Sequence, residues 1–155
     1  MSTLDSYLGS TVDQARHEAQ DDGSASIEAH HLLLAIAGRE GTVAQRVLAS
    51  VGLDRLAIRQ ALDREFEHSL HAVGVSAAAF ELPGVGRGRP PANIGASTRL
   101  AFERGFASGV RKKELRSAHL LLGILAAEVG TVPRALVLAG VDRSDLADRV
   151  RQVTG

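Results

Sequence analysis

Apolar residues recur along this chain at steps of three and four, the spacing of one helical face, and almost nowhere alternate as a strand would. Leu4, Leu8, Val12, Ala15 and Ala19 form one stripe on a first helix that runs to about Gln20, where Asp21, Asp22 and Gly23 close it. A second helix is predicted from about Glu28 to Arg39. Its Leu32-Leu33-Leu34 segment, with Ala35 and Ile36, is apolar nearly all round, the mark of a buried helix. Thr42 has the chemistry to cap a third helix, Val43 to Val51, and Gly52 ends it. Asp54 can cap a fourth, with Leu56, Ile58, Leu62, Phe66 and Leu70 as its apolar positions.

Residues 72–95 break the pattern with Gly74, Pro83, Gly84, Gly86, Gly88, Pro90, Pro91 and Gly95, so they read as a linker. Helical spacing then resumes. Ser97 or Thr98 is expected to start a fifth helix that turns Ala101, Phe102, Phe106 and Val110 inward. Ser117 is expected to cap a sixth, Thr131 with Pro133 to open a seventh, and Gly140 with Asp142 to separate it from an eighth.

The second half echoes the first. Ile27-Glu28-Ala29-His30-His31-Leu32-Leu33-Leu34-Ala35-Ile36 returns 88 positions later as Leu115-Arg116-Ser117-Ala118-His119-Leu120-Leu121-Leu122-Gly123-Ile124. Gly41-Thr42-Val43 returns as Gly130-Thr131-Val132, and Gly52-Leu53-Asp54-Arg55 as Gly140-Val141-Asp142-Arg143. A register kept through three blocks means two copies of one structural unit. The expected fold is all-α, a pseudo-twofold globule of eight helices within one domain, 1–155: repeat one about 4–71, the linker about 72–95, repeat two about 96–153.

Composition narrows the functional classes. With 155 residues the chain can bury a core without staples, and it has no cysteine. Eighteen Lys plus Arg balance eighteen Asp plus Glu, which disfavours nucleic acid as a partner, since phosphate binding draws on a basic surplus. No apolar run approaches the roughly 20 residues that span a bilayer. A cytoplasmic, monomeric protein with no membrane partner is expected.

Six histidines invite a metal, most densely at His17, His30 and His31. Neighbouring positions on a helix point about 100° apart, so His30 and His31 are not expected to converge on one ion. Neither copy has a ligand four residues after its histidine, because Ala35 follows His31 and Gly123 follows His119. The expectation is no metal and no cofactor, with His31 and His119 as equivalent structural imidazoles satisfying backbone or a cap. Gly84 to Arg89 lacks the Gly-Lys-Ser/Thr ending of a phosphate loop, and no nucleophile elbow is present, so no enzyme is expected. Arg99 and Glu103 lie four apart beside Phe102 and Phe106, either as an exposed ion pair or as the lip of a peptide groove.

The block ending in His31-Leu32-Leu33-Leu34, its copy at His119-Leu120-Leu121-Leu122 and the paired Gly-Thr-Val motifs resemble the Clp N-terminal (Clp repeat) domain. The resemblance implies two repeats of four helices and a substrate-receiving module of the Clp unfoldase and protease system. Its partners would be Clp ATPase or protease components or peptide substrates. Unfoldases of this kind continue into Walker-motif modules, and this sequence ends at Gly155, so a stand-alone adaptor, decoy or sequestering protein is expected. ClpC-type domains place a phosphoarginine-binding glutamate immediately before the repeat histidine. Those positions are His30 and Ala118 here, so that recognition is expected to be lost or weakened, with Glu28 too far round the helix to replace His30. The same resemblance places a cyclic-peptide antibiotic face at Ile94, Arg99, Glu103 and Phe106, which makes sequestration of such a macrocycle the alternative function.

Overall fold

The computed structural model describes residues 3–72, 90–107 and 116–154. Among them run eight helices: α1 (Thr3–Asp21), α2 (Ala29–Gly38), α3 (Val43–Ser50), α4 (Arg55–Ala72), α5 (Ala96–Phe106), α6 (Arg116–Leu125), α7 (Thr131–Leu138) and α8 (Arg143–Thr154). The extended pairing among the described residues is a single parallel bridge between Ile27 and Ile94. Gly84 to Arg89 and Val110 lie outside the described residues.

The duplication is visible in hydrogen bonds. Gly52 and Gly140 end α3 and α7 at φ +77° and +74°, where a side chain would be strained. The next residue then bonds back identically, Leu53 N–H to the Leu48 carbonyl and Val141 N–H to the Leu136 carbonyl, both at 2.9 Å. The carboxylates of Asp54 and Asp142 accept the Ala57 and Asp145 N–H groups at 2.7 and 3.0 Å, capping α4 and α8 as the spacing predicts.

Helices α2 and α6 form the centre. Leu32, Leu33, Leu34, Ile36, Leu120, Leu121, Ile124 and Leu125 are all buried, while Leu122 is half-buried. The two units differ in how their first helix lies on that centre. A Cβ on Gly123 would overlap the Ala101 carbonyl oxygen, and one on Gly105 would overlap that of His119, so α5 and α6 touch backbone to backbone. Buried Ala15 is the α1 counterpart of Gly105, a shift of 90 against 88 for Ala35 and Gly123, so the second unit is two residues shorter between its first two helices. By that register Thr11 and Ala35 stand where Ala101 and Gly123 do, and both line an open cleft between α1 and α2.

Three hydroxyls expected to serve their own helices serve the other repeat instead. Ser97 accepts the Ala29 N–H at 2.8 Å and donates to Glu28 at 2.6 Å, capping α2, and Thr98 donates to the Ile27 carbonyl at 2.7 Å. The start of α5 is left to Gly95. Ser117 accepts the Ala44 N–H at 3.1 Å inside the core and so caps α3 rather than α6. At the symmetry-related place Ala29 faces a cavity with Pro133, where there is neither a hydroxyl nor an N–H to meet it.

Two buried carboxylates are paired. Glu18 meets Arg55 within repeat one, and Glu65 accepts from Arg134 at 2.9 Å across the two repeats. Leu56 and Phe66, two of the apolar positions read for this helix, are 63% and 51% exposed. The inner face of α4 runs through Ile58, Ala61, Leu62 and Glu65, and both residues lie off it.

Candidate functional site: the seam around His30 and His31

His31 is fully buried at the start of α2, and both ring nitrogens are committed. Nδ1 accepts the Glu28 N–H at 3.0 Å, so the proton sits on Nε2, which lies 3.0 Å from Asp22 Oδ2 and donates to it. Asp22 in turn receives Arg59 at 3.0 Å, and Arg59 also reaches Asp63 at 3.1 Å. Burial works to raise the Asp22 carboxyl, but the His31 hydrogen bond and the Arg59 guanidinium outweigh it and hold the group below its usual range. The structural role expected for His31 is thus a capping one. His119 differs: its ring lies 6.5 Å from that of Phe106, and position 147, the counterpart of Arg59, is a buried alanine.

His30 and His31 do converge, contrary to the helical-wheel expectation. Their ring centroids are 4.1 Å apart, and with Asp22 they bring ligand-type atoms within 4.8 Å of one another. Both rings stand in the first turn, where the helix is only beginning, and Asp22 arrives from the end of α1. For His31 to hold a cation through Nε2 its proton would move to Nδ1, setting ring N–H against the Glu28 N–H. The geometry supports the tautomer that caps. An imidazole so engaged is also unable to take a proton from a substrate.

His30 lines two adjoining cavities. One, of about 360 Å³, is walled by Asp22, Arg59, Glu65, Phe66 and Thr131; the other, of about 290 Å³, by Glu28, Ser97, Val129, Thr131 and Pro133. They meet at His30 and Thr131, so a groove follows the seam between the repeats, with exposed Phe66 and Val129 along it. Burial pushes the His30 pKa down to about 4, so the ring facing the groove is neutral at pH 7. Glu28 stands outside α2 as its N-cap and shares the second cavity with His30. Its carboxylate is held by the hydroxyls of Ser26 and Ser97, which keep its pKa low against the opposing effect of burial. Ala118 is completely buried.

The third surface is the outer face of α5. Ile94, Arg99 and Phe102 line an open depression with Ala92 and Asn93, while Glu103 is exposed beyond it and Phe106 is half-buried against the core. Arg99 and Glu103 share the helix face but form no ion pair. The sequence did not point to Asp22, Arg59 or Thr131 as seam residues, because they come from three different helix ends.

An all-helical duplicated unit with a polar seam and exposed apolar margins defines a helical-repeat interaction domain. The chain matches the family model of the Clp repeat (R) N-terminal domain over residues 4–81, half its length, and it belongs to that family. Members of this family are protein-interaction domains of the Clp system rather than catalytic ones. No curated protein matches the chain significantly. No helix among the described residues is long and apolar enough to cross a membrane.

Proposed function

We propose that this protein is a non-enzymatic module that receives peptide or unfolded-chain segments for the Clp machinery, as adaptor, decoy or substrate-receiving domain. The observation that carries this reading is the inter-repeat groove at His30 and Thr131 with Phe66 and Val129 exposed along it. Apolar side chains of an extended segment would rest on those two residues, and the surrounding hydroxyls and carboxylates would meet its backbone. The His31–Asp22 pair, with both imidazole nitrogens engaged, supports a structural part for the residues that most resemble catalytic or metal-binding ones. Titration against a fluorescently labelled, permanently unfolded protein tests the proposal. Micromolar binding that weakens about tenfold in Phe66→Ser is expected, and absence of binding both to that probe and to a purified Clp ATPase would overturn it.

Phosphoarginine is not the expected ligand of the seam. His30 has no carboxylate, Ala118 lies buried, and the Glu28 carboxylate that shares the cavity with His30 is already engaged by the Ser26 and Ser97 hydroxyls, so none of the three is set to fork a guanidinium. Calorimetry is expected to give millimolar affinity or none, and micromolar binding at these positions would contradict the reading. The second reading, sequestration of a cyclic peptide antibiotic, is favoured by the depression at Ile94, Arg99 and Phe102. A ligand specific for the fold raises the unfolding temperature by mass action, so a thermal-shift series with such macrocycles separates the two readings.

A further inference from the structure

A cavity of about 370 Å³ opens between α1, the end of α2 and the start of α4, lined by Ser10, Thr11, Gln14, Ala35, Arg39 and Arg55 among others. It lies apart from the seam, since the two share no lining residue. The second repeat closes the same place. There Gly123 lets α6 meet the Ala101 carbonyl directly, and Arg143, the counterpart of Arg55, turns its guanidinium onto the Leu125 carbonyl at 2.6 Å. In the first repeat Ala35 and Thr11 line the open cleft, and Arg55 turns instead to buried Glu18. Position 127, the counterpart of Arg39, is alanine, so the second repeat also lacks the cation.

Arg39 is the charge left over. Its guanidinium lies 4.9 Å from the centroid of the Tyr7 ring and donates to Ser10, and no carboxylate of the described residues pairs with it. Arg55 is answered by Glu18 outside the lining, so Arg39 is the lining cation that a ligand carboxylate would meet. A guanidinium steadied on an aromatic face, with N–H groups still free, is a fork that matches a carboxylate.

We propose that this cleft binds a peptide carboxylate, with Arg39 as its partner. The proposal rests on the reading of the protein as a peptide-binding module and names what one of its surfaces selects. The carboxylate is either the free end of a chain or an Asp or Glu side chain, and both present the same two oxygens to the fork. The test uses a randomised decapeptide library with free C-termini, its amidated twin, and amidated peptides carrying one internal Glu. Each is titrated against the intact protein, Arg39→Gln, and a control Arg46→Gln on the exposed side of α3. Free-acid peptides are expected to bind about tenfold tighter than the amidated twin, with the difference gone in Arg39→Gln and retained in the control. A gain for internal-Glu peptides that Arg39→Gln removes would identify the side-chain source and support the same chemistry. Peptide binding that Arg39→Gln leaves unchanged would overturn this proposal and leave the peptide-binding reading standing. Failure of every library to bind the intact protein would overturn both.

Discussion

His30 and His31 are neighbours in sequence with opposite physical tasks. His31 has given both nitrogens to the fold, and its replacement by alanine leaves a cavity, an unmet Glu28 N–H and an Asp22 Oδ2 without its donor, while Arg59 still reaches Oδ1. His31→Ala is expected to cost about 3 kcal/mol in urea unfolding. His30 has no such partners, yet its proton affinity is low because the charged ring would be desolvated. An unfolded histidine titrates near 6.5 and the folded one near 4, so the unfolded chain binds more protons between those values. Stability from neutral His30 is therefore complete above pH 6.5 and is lost as pH falls toward 4. In His30→Gln the decline in stability from pH 7 to pH 5 is expected to be shallower than in the parent, as read from urea midpoints. Asp22 and Glu28 act lower on the scale: their depressed values stabilise the fold above the usual carboxylate range, and that support disappears as acid protonates them.

The helices show what patterning can and cannot announce. Buried α2, the caps at Thr42, Asp54 and Asp142 and the glycine stops after α3 and α7 could all be read directly, because each depends on neighbours within a few residues. Ser97 and Ser117 misled for the opposite reason. Each stands where a local cap is plausible, but its partner is 68 or 73 residues away, a separation to which one-dimensional spacing is blind. Ser117→Ala should strand the Ala44 N–H in the core and cost about 1 to 2 kcal/mol, whereas Ala29→Ser should gain nothing, since Pro133 offers no donor. The crossing of α5 and α6 is stricter. Gly123→Ala is expected to cost about 3 kcal/mol, because backbone rather than a flexible side chain stands in the way. Ala35→Gly, at the matching place in repeat one, should cost only about 1 kcal/mol of helix propensity. Differential scanning calorimetry of the two variants measures that asymmetry. The seam was legible only at its two histidines, since Asp22, Arg59 and Thr131 become neighbours once separate helix ends have packed.

At the scale of the molecule, the two repeats share an architecture and divide the labour. Repeat one carries the charged network and the open cleft, and repeat two the glycine-tight crossing. Glu65 and Arg134 tie them across the interface, and Glu65→Gln should weaken the whole fold by about 1 to 2 kcal/mol, seen as one cooperative transition moved to lower urea. The reach of Ser97, Thr98 and Ser117 is one-directional, from the trailing copy toward the leading one. During synthesis the leading copy leaves the ribosome first. Its helices must therefore wait for chain not yet translated before their last donors and acceptors are met, so nascent lengths ending before Ser97 should remain open to protease.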